Sequence, residues 1–182
     1  MSIPQPPKPA KLIVGFFLKH KSLAADVARD LTTRLGPVEA VSPWLKFDFT
    51  RYYEKEMGAS LSRRLLVFGP HIEQTRLPAI KHITNELEMR YTREDKRQVN
   101  IDPGYLLPER LVLATGKNFT HRIYIGEGVY ADLTLIFQKG NFRSLPWTYP
   151  DYADRRLIDF LTLVRNKYML ELKRTTARSD TK

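Results

Sequence analysis

Apolar and polar positions follow two different periods along this chain, and the switches between them mark out its elements. KLIVGFFL, from Lys11 to Leu18, is an unbroken apolar run of strand length, the pattern of a strand covered on both faces. SLAADVARDLTTRLG follows, with Ser22 as cap, Leu23, Val27, Leu31 and Leu35 at four-residue steps and Gly36 as the stop, so a helix is predicted. VEAVSPWLKFDF reads as a strand interrupted or bulged at Pro43, and RRLLVFG, from Arg63 to Gly69, as a further strand. Between Thr75 and Tyr91 the residues Leu77, Ile80, Ile83 and Leu87 recur at three and four, giving a second helix with one apolar stripe. RQVNI supplies a strand that ends at Asp102, where Pro103-Gly104 reads as a turn. The order strand, helix, strand, strand, helix, strand predicts an α+β fold built on a ferredoxin-like βαββαβ core.

The second half extends that core. RLVLAT, from Arg110 to Thr115, adds a strand, and HRIYIGEGVYADLTLIF, from His121 to Phe137, reads as a hairpin with the loop Gly126-Glu127-Gly128. That loop places Ile125 opposite Val129, Ile123 opposite Ala131, Tyr124 opposite Tyr130 and Arg122 opposite Asp132. One face is then apolar and the other aromatic and charge-paired; a one-residue slip would mix them. Asp151 is placed to cap a C-terminal helix whose stripe, Leu157, Phe160, Leu161, Val164 and Tyr168, closes the remaining face of the sheet. The expected organisation is a single α+β domain over residues 11–172, after a disordered proline-rich lead-in at 1–10 and before a disordered basic tail at 173–182.

Composition narrows the classes. A length of 182 residues, 42% hydrophobic and 27% charged, is that of one ordinary soluble domain. No apolar run approaches the length of a bilayer span, and MSIPQPPKPAKL lacks the apolar centre of a signal peptide, so a cytoplasmic protein without membrane contact is expected. The absence of cysteine excludes disulfides, thiolate metal sites and a cysteine nucleophile. A net charge of +10 raises the expectation of a polyanionic partner such as a nucleotide or RNA, with Arg63-Arg64, Arg93 with Lys96-Arg97, and Arg155-Arg156 as the clusters away from the ends.

Four motifs stand out in order: FDFTRYYEKEMG, VNIDPGYL, LATGKNFTHRIYIGEGVYADLTLIF and LPWTYPDY. Together they resemble the bacterial and archaeal family filed as domain of unknown function 4416, over nearly the whole chain between the proline-rich start and the basic tail. The resemblance implies no assigned activity, although some members are labelled GTP-binding protein. A P-loop does not account for that label here. Gly116-Lys117 is followed by Asn118 and has no glycine five residues before Gly116, so the loop of amides that cradles phosphates is missing. A nucleotide would bind by another arrangement. Where the family's YYEKEMG motif is commonly preceded by an acidic residue, this chain has Arg51.

Candidate chemistry falls into three groups. Asp48, Glu54 and Glu56, with Asp102, are carboxylates suited to a hard divalent cation such as magnesium. Asp102 and His121 are candidate acid–base residues, and Lys117, Asn118 and Arg122 candidate phosphate ligands. Tyr124, Tyr130 and Trp147 are candidate stacking surfaces for a base. Blander readings run beside these: Glu54 and Glu56 on a solvated turn, Asp48 as a cap, Arg122 simply paired with Asp132, and LPWTYPDY as a plug on the sheet. The functional expectation is a protein that binds, and as an enzyme would act on, a phosphate-bearing ligand such as a nucleotide. The alternatives are an RNA-binding module and a structural or partner-binding module without a catalytic site.

Overall fold

A strand buried on both faces has to lie in the middle of a sheet, and β1 (Ala10–Leu18) does: each of its nine residues is buried. The structure, a computed structural model, describes the backbone of residues 1–179 and the side chains of residues 1–174. The remaining elements in chain order are α1 (Ala24–Leu35), β2 (Val38–Val41), β3 (Leu45–Phe47), the short α2 (Glu54–Met57), β4 (Leu61–Ile72), α3 (Leu77–Arg90), the ribbon β5 (Thr92–Arg93) and β6 (Lys96–Arg97), β7 (Val99–Leu107), β8 (Arg110–Thr115), β9 (Arg122–Gly126), β10 (Val129–Gln138), β11 (Asn141–Ser144) and α4 (Arg155–Ser179). Among the described residues, nine strands form one sheet in the order β11-β10-β8-β7-β1-β4-β2, with β3 added to β4 and β9 to β10. Every ladder in it is antiparallel.

The fold is α+β. Its β7-β1-β4-β2 part interleaves two βαβ units whose crossovers are α1 and α3, compatible with the ferredoxin-like arrangement. Strand periodicity divides β1 between two cores. Leu12, Val14, Phe16 and Leu18 meet Val27 and Leu31 of α1 and Ile80 and Leu87 of α3. Ile13, with Leu65, Val67, Leu106 and Leu135, meets Leu157, Leu161, Val164 and Tyr168 of α4, so the last helix covers the other face as expected. Among the described residues no helix is long and apolar enough to cross a membrane.

Local details differ from the sequence reading where side chains found other partners. Helix α1 is entered through a 3-10 turn, Lys21–Leu23, and Ser22 does not cap it. Asp151 does not cap α4; it is buried against Arg63, and Asp154 accepts from the Arg156 amide at 2.8 Å instead. The hairpin keeps three predicted pairs, Tyr124–Tyr130, Ile123–Ala131 and Arg122–Asp132. Val129, however, faces Gly126 rather than Ile125. The loop is Glu127-Gly128, at φ 54° and 72°, the two positive angles a primed turn needs, and Ile125, next to Gly126 at φ 105°, is the unpaired extra residue of a bulge. Residues 1–9 form no regular element, yet the Lys8 and Pro9 carbonyls accept from Gln74 and Tyr168. Helix α4 continues to Ser179, through most of the expected tail, and residues 180–182 lie outside the described residues.

The largest departure concerns Asp102-Pro103-Gly104, which does not turn. Strand β7 runs straight through it and pairs with β1 along its length, Val14 opposite Pro103 and Gly15 opposite Asp102. On its other side β7 pairs with β8 only from Gly104–Leu113 to Leu107–Arg110. Beyond Gly104 the two strands part. There the Ile101 amide donates to Glu88 Oε1 at 2.6 Å and its carbonyl accepts from Lys81 Nζ at 3.1 Å, so side chains of α3 replace the absent strand. Alternate residues of a strand present their peptide groups to the same side, so Pro103 turns its donor-less nitrogen to this gap. A central strand tolerates a proline here because no ladder partner is left to miss its N–H. Gly104 pins the point of divergence: a Cβ on it would lie 2.3 Å from the Val112 carbonyl oxygen.

Candidate functional site

Where β7 and β8 separate, a cleft of about 440 Å³ opens through the sheet. Asn100 and Asp102 line it from β7, and Ala114, Thr115, Gly116 and Lys117 from the end of β8 and its loop. From one face α3 contributes Lys81, Asn85 and Glu88; from the other, Tyr149 and Tyr152 come from the segment before α4. Tyr52 and Tyr53, from the connection between β3 and β4, stand over the mouth.

Asp102 answers to Arg63, whose Nη2 lies 3.2 Å from its Oδ2, and not to its own backbone. Arg63 is buried, and its Nη1 faces Asp151 Oδ2 at 2.6 Å. Burial alone would lower the Arg63 pKa, but Asp151, Tyr152 and Asp102 outweigh it, so the guanidinium is held more firmly charged than usual. Burial likewise pushes the Asp151 carboxyl up despite Arg63, and pushes the Tyr53 and Tyr152 phenols well above their usual range. Arg97 grips Glu56 of α2 with Nε and Nη2, at 2.6 and 2.8 Å, while Nη1 bonds Glu88 and Asn100 at 3.0 Å each. It joins α2 to the cleft wall, and the hydrogen bond from Arg97 draws the Glu56 pKa down.

Two cations of the cleft are less committed. Lys117 Nζ lies 3.1 Å from the Tyr52 hydroxyl, and Lys81 donates to a backbone carbonyl; among the described residues neither forms a close ion pair with a carboxylate, although the Lys81 charge acts on Glu88 against the burial that raises that carboxyl. Arg122 is fully used. Its Nε donates to Asp132 at 2.9 Å, Nη1 to the Lys117 carbonyl at 3.0 Å and Nη2 to the Tyr149 hydroxyl at 3.4 Å, which sets the course of the loop that carries Lys117.

The structure thus brings Asp102, Lys117 and Arg122 together and leaves the other candidates outside. His121 does not line the cleft; its Nε2 lies 3.2 Å from Asp132 Oδ2 and its ring stacks on Trp147 at 4.8 Å, so it is not beside Asp102. Trp147 donates to the Leu133 carbonyl and fastens LPWTYPDY to β10, in keeping with a plug rather than a stacking platform. Asn118 is exposed on the loop. Tyr124 and Tyr130 pair with each other on the hairpin, ring centroids 5.3 Å apart, away from the cleft. Asp48 and Glu54 are exposed, Glu56 belongs to Arg97, and among the described residues no three histidine, aspartate or glutamate side chains are grouped to hold a metal ion. The expected magnesium cluster therefore does not assemble: its carboxylates sit on different parts of the 48–57 segment, one with a fixed partner.

Sequence reasoning missed Arg63, Lys81, Glu88, Asn100 and Asp151. A signal for two of them existed, since Lys81, Thr84 and Glu88 lie at i, i+3 and i+7 and so share one helical face, which is buried.

The family model for Domain of unknown function (DUF4416) matches residues 8–168. The chain belongs to this family. The DUF4416 match takes in every residue that lines the cleft, from Phe47 to Tyr152. No curated protein and no solved structure matches the chain.

Proposed function

We propose that the cleft binds a phosphate-bearing ligand such as a nucleotide, and does so without a P-loop. The observation that supports this is the pair Lys81 and Lys117 on one cavity, in a cleft walled by tyrosines: Lys117 has only the Tyr52 hydroxyl as its partner, and Lys81, though its charge is felt by Glu88, is bonded only to a backbone carbonyl. Asp102 is the carboxylate that faces a bound ligand, held in place by Arg63.

A thermal-shift series over nucleotides, with and without magnesium, tests the reading. A ligand at about a hundredfold excess over Kd stabilises by about 2.7 kcal/mol, a rise of roughly 5–10 °C for a chain of this size. Lys117→Ala is expected to abolish that rise while leaving the unliganded melting temperature in place. Flat curves with every nucleotide would rule out a nucleotide as the ligand, and flat curves with inorganic phosphate as well would overturn the proposal.

A second reading, RNA binding on the hairpin, is favoured by Ile123 and Tyr124, which are 71% and 59% exposed on β9. It predicts that a fluorescent single-stranded RNA loses affinity on Tyr124→Ala and not on Lys117→Ala.

A further inference from the structure

Part of the cleft lining is buried and differently equipped. Asn100 and Tyr152 line it at 5% and 1% exposure. Arg97 donates to Asn100 Oδ1, which orients the amide and leaves Nδ2 buried with no acceptor. The Tyr152 hydroxyl and Arg63 Nε are buried without a partner as well. Gly15 makes room for that hydroxyl, since a Cβ there would lie 3.0 Å from it. Unmet buried donors are rare, and three around one part of the lining point to an acceptor brought in from outside.

Charge decides what kind of acceptor. Arg63 is matched by two carboxylates, Asp102 and Asp151, so this part of the lining carries no surplus positive charge and disfavours a second anion. What it offers is donors beside the carboxylate of Asp102. A hydroxyl donates and accepts in the same place and satisfies both. Asn100 and Asp102 lie two residues apart on one face of β7, roughly 7 Å along the strand, a spacing for separate hydroxyls of one ligand.

We propose, resting on the phosphate reading above, that the ligand is a phosphorylated polyol: phosphate at Lys81 and Lys117, hydroxyl-bearing carbons over Asn100, Asp102 and Tyr152. Free sugar phosphates and the ribose of nucleotides share this chemistry.

Calorimetric titration of the full chain with inorganic phosphate, ribose 5-phosphate, adenosine 5′-monophosphate and its 2′,3′-dideoxy form separates the possibilities. Ribose 5-phosphate is expected to bind about tenfold tighter than inorganic phosphate. Tyr152→Phe keeps the ring and removes only an unpartnered hydroxyl, so it folds as stably as the native chain. It should lose about three- to tenfold toward ribose 5-phosphate and nothing toward inorganic phosphate, as should Asn100→Ala. Tighter binding of the adenosine monophosphate, weakened in the dideoxy form, supports the proposal with a nucleotide as source; tighter binding of ribose 5-phosphate supports it with a free sugar phosphate. Equal affinities for inorganic phosphate and ribose 5-phosphate, or an unaffected Tyr152→Phe, overturn it while the phosphate reading stands. Failure of every phosphate-bearing probe to bind overturns both.

Discussion

Arg63 lies among the rings of Phe17, Phe47 and Tyr152, its guanidinium carbon 5.1, 4.8 and 4.9 Å from their centroids. Replacing it with leucine leaves Asp151, 1% exposed, as a buried charge without its partner, and is expected to cost about 3–5 kcal/mol in urea denaturation. Arg63→Lys should fall well short of rescue, because an ammonium cannot present the fork that spans Asp102 and Asp151. Gly104→Ala drives a methyl into backbone, the Val112 carbonyl, and is expected to cost about 3 kcal/mol by the same measurement. Neither residue announces itself in the sequence. Arg63 reads with Arg64 as one basic surface cluster, yet the two alternate across the strand, and only Arg63 is turned into the charge-lined interior. Asp102, Lys117 and Arg122 were legible because they sit in distinctive polar motifs between apolar runs. Asp48, Glu54 and Glu56 looked equally promising, and nothing in a linear spacing distinguishes carboxylates that converge from carboxylates that scatter.

Elements were legible wherever their period was clean. Strand β1, helices α1 and α3, and most of the hairpin register follow from alternation and from Gly36, Gly126 and Gly128, whose positive φ angles mark real chain reversals. Pro103-Gly104 carried the usual mark of a turn and is instead mid-strand, because what matters to a proline is whether its missing donor faces a neighbour, and that depends on where β8 stops. Pro103→Ala is therefore expected to lower stability by only about 0.4–1 kcal/mol, through a freer unfolded chain. Amide exchange should find its new N–H poorly protected beside protected neighbours. Helix α4 is tied to β1 by a polar cluster: Glu171 lies 2.7 Å from buried Lys11 and 2.8 Å from His71. Burial alone would raise the Glu171 pKa, but hydrogen bonds from Lys11 and His71 hold it at about 2, below the usual 4.5. A folded-state value below the unfolded one adds stability that is fully present above about pH 4.5 and drains away as pH falls toward 2. Glu171→Gln should flatten this acid limb in melts taken at a series of pH values, without steepening the neutral one.

Across the whole molecule the narrow join between β7 and β8, four residue pairs long, is, among the described residues, all that links the β1, β2, β3, β4 and β7 half of the sheet to the rest by strand pairing. The α4 side binds the halves again, because Ile13, Leu65 and Val67 share one apolar cluster with Leu111, Leu135 and Phe142. Unfolding in urea is accordingly expected to be a single transition. The two tryptophans report from opposite edges, Trp44 beside β2 and β3 and Trp147 on β10, so Trp44→Phe and Trp147→Phe should give coincident fluorescence midpoints once each is corrected for its own change in stability. Proline and glycine in β7 have a last consequence at this scale. A sheet is ordinarily a wall between two rooms, and this one has a window: an occupant of the opening touches α3 in one room and Tyr149 and Tyr152 in the other. Such a guest acts as a rivet, so its arrival should slow amide exchange on both sides of the wall together.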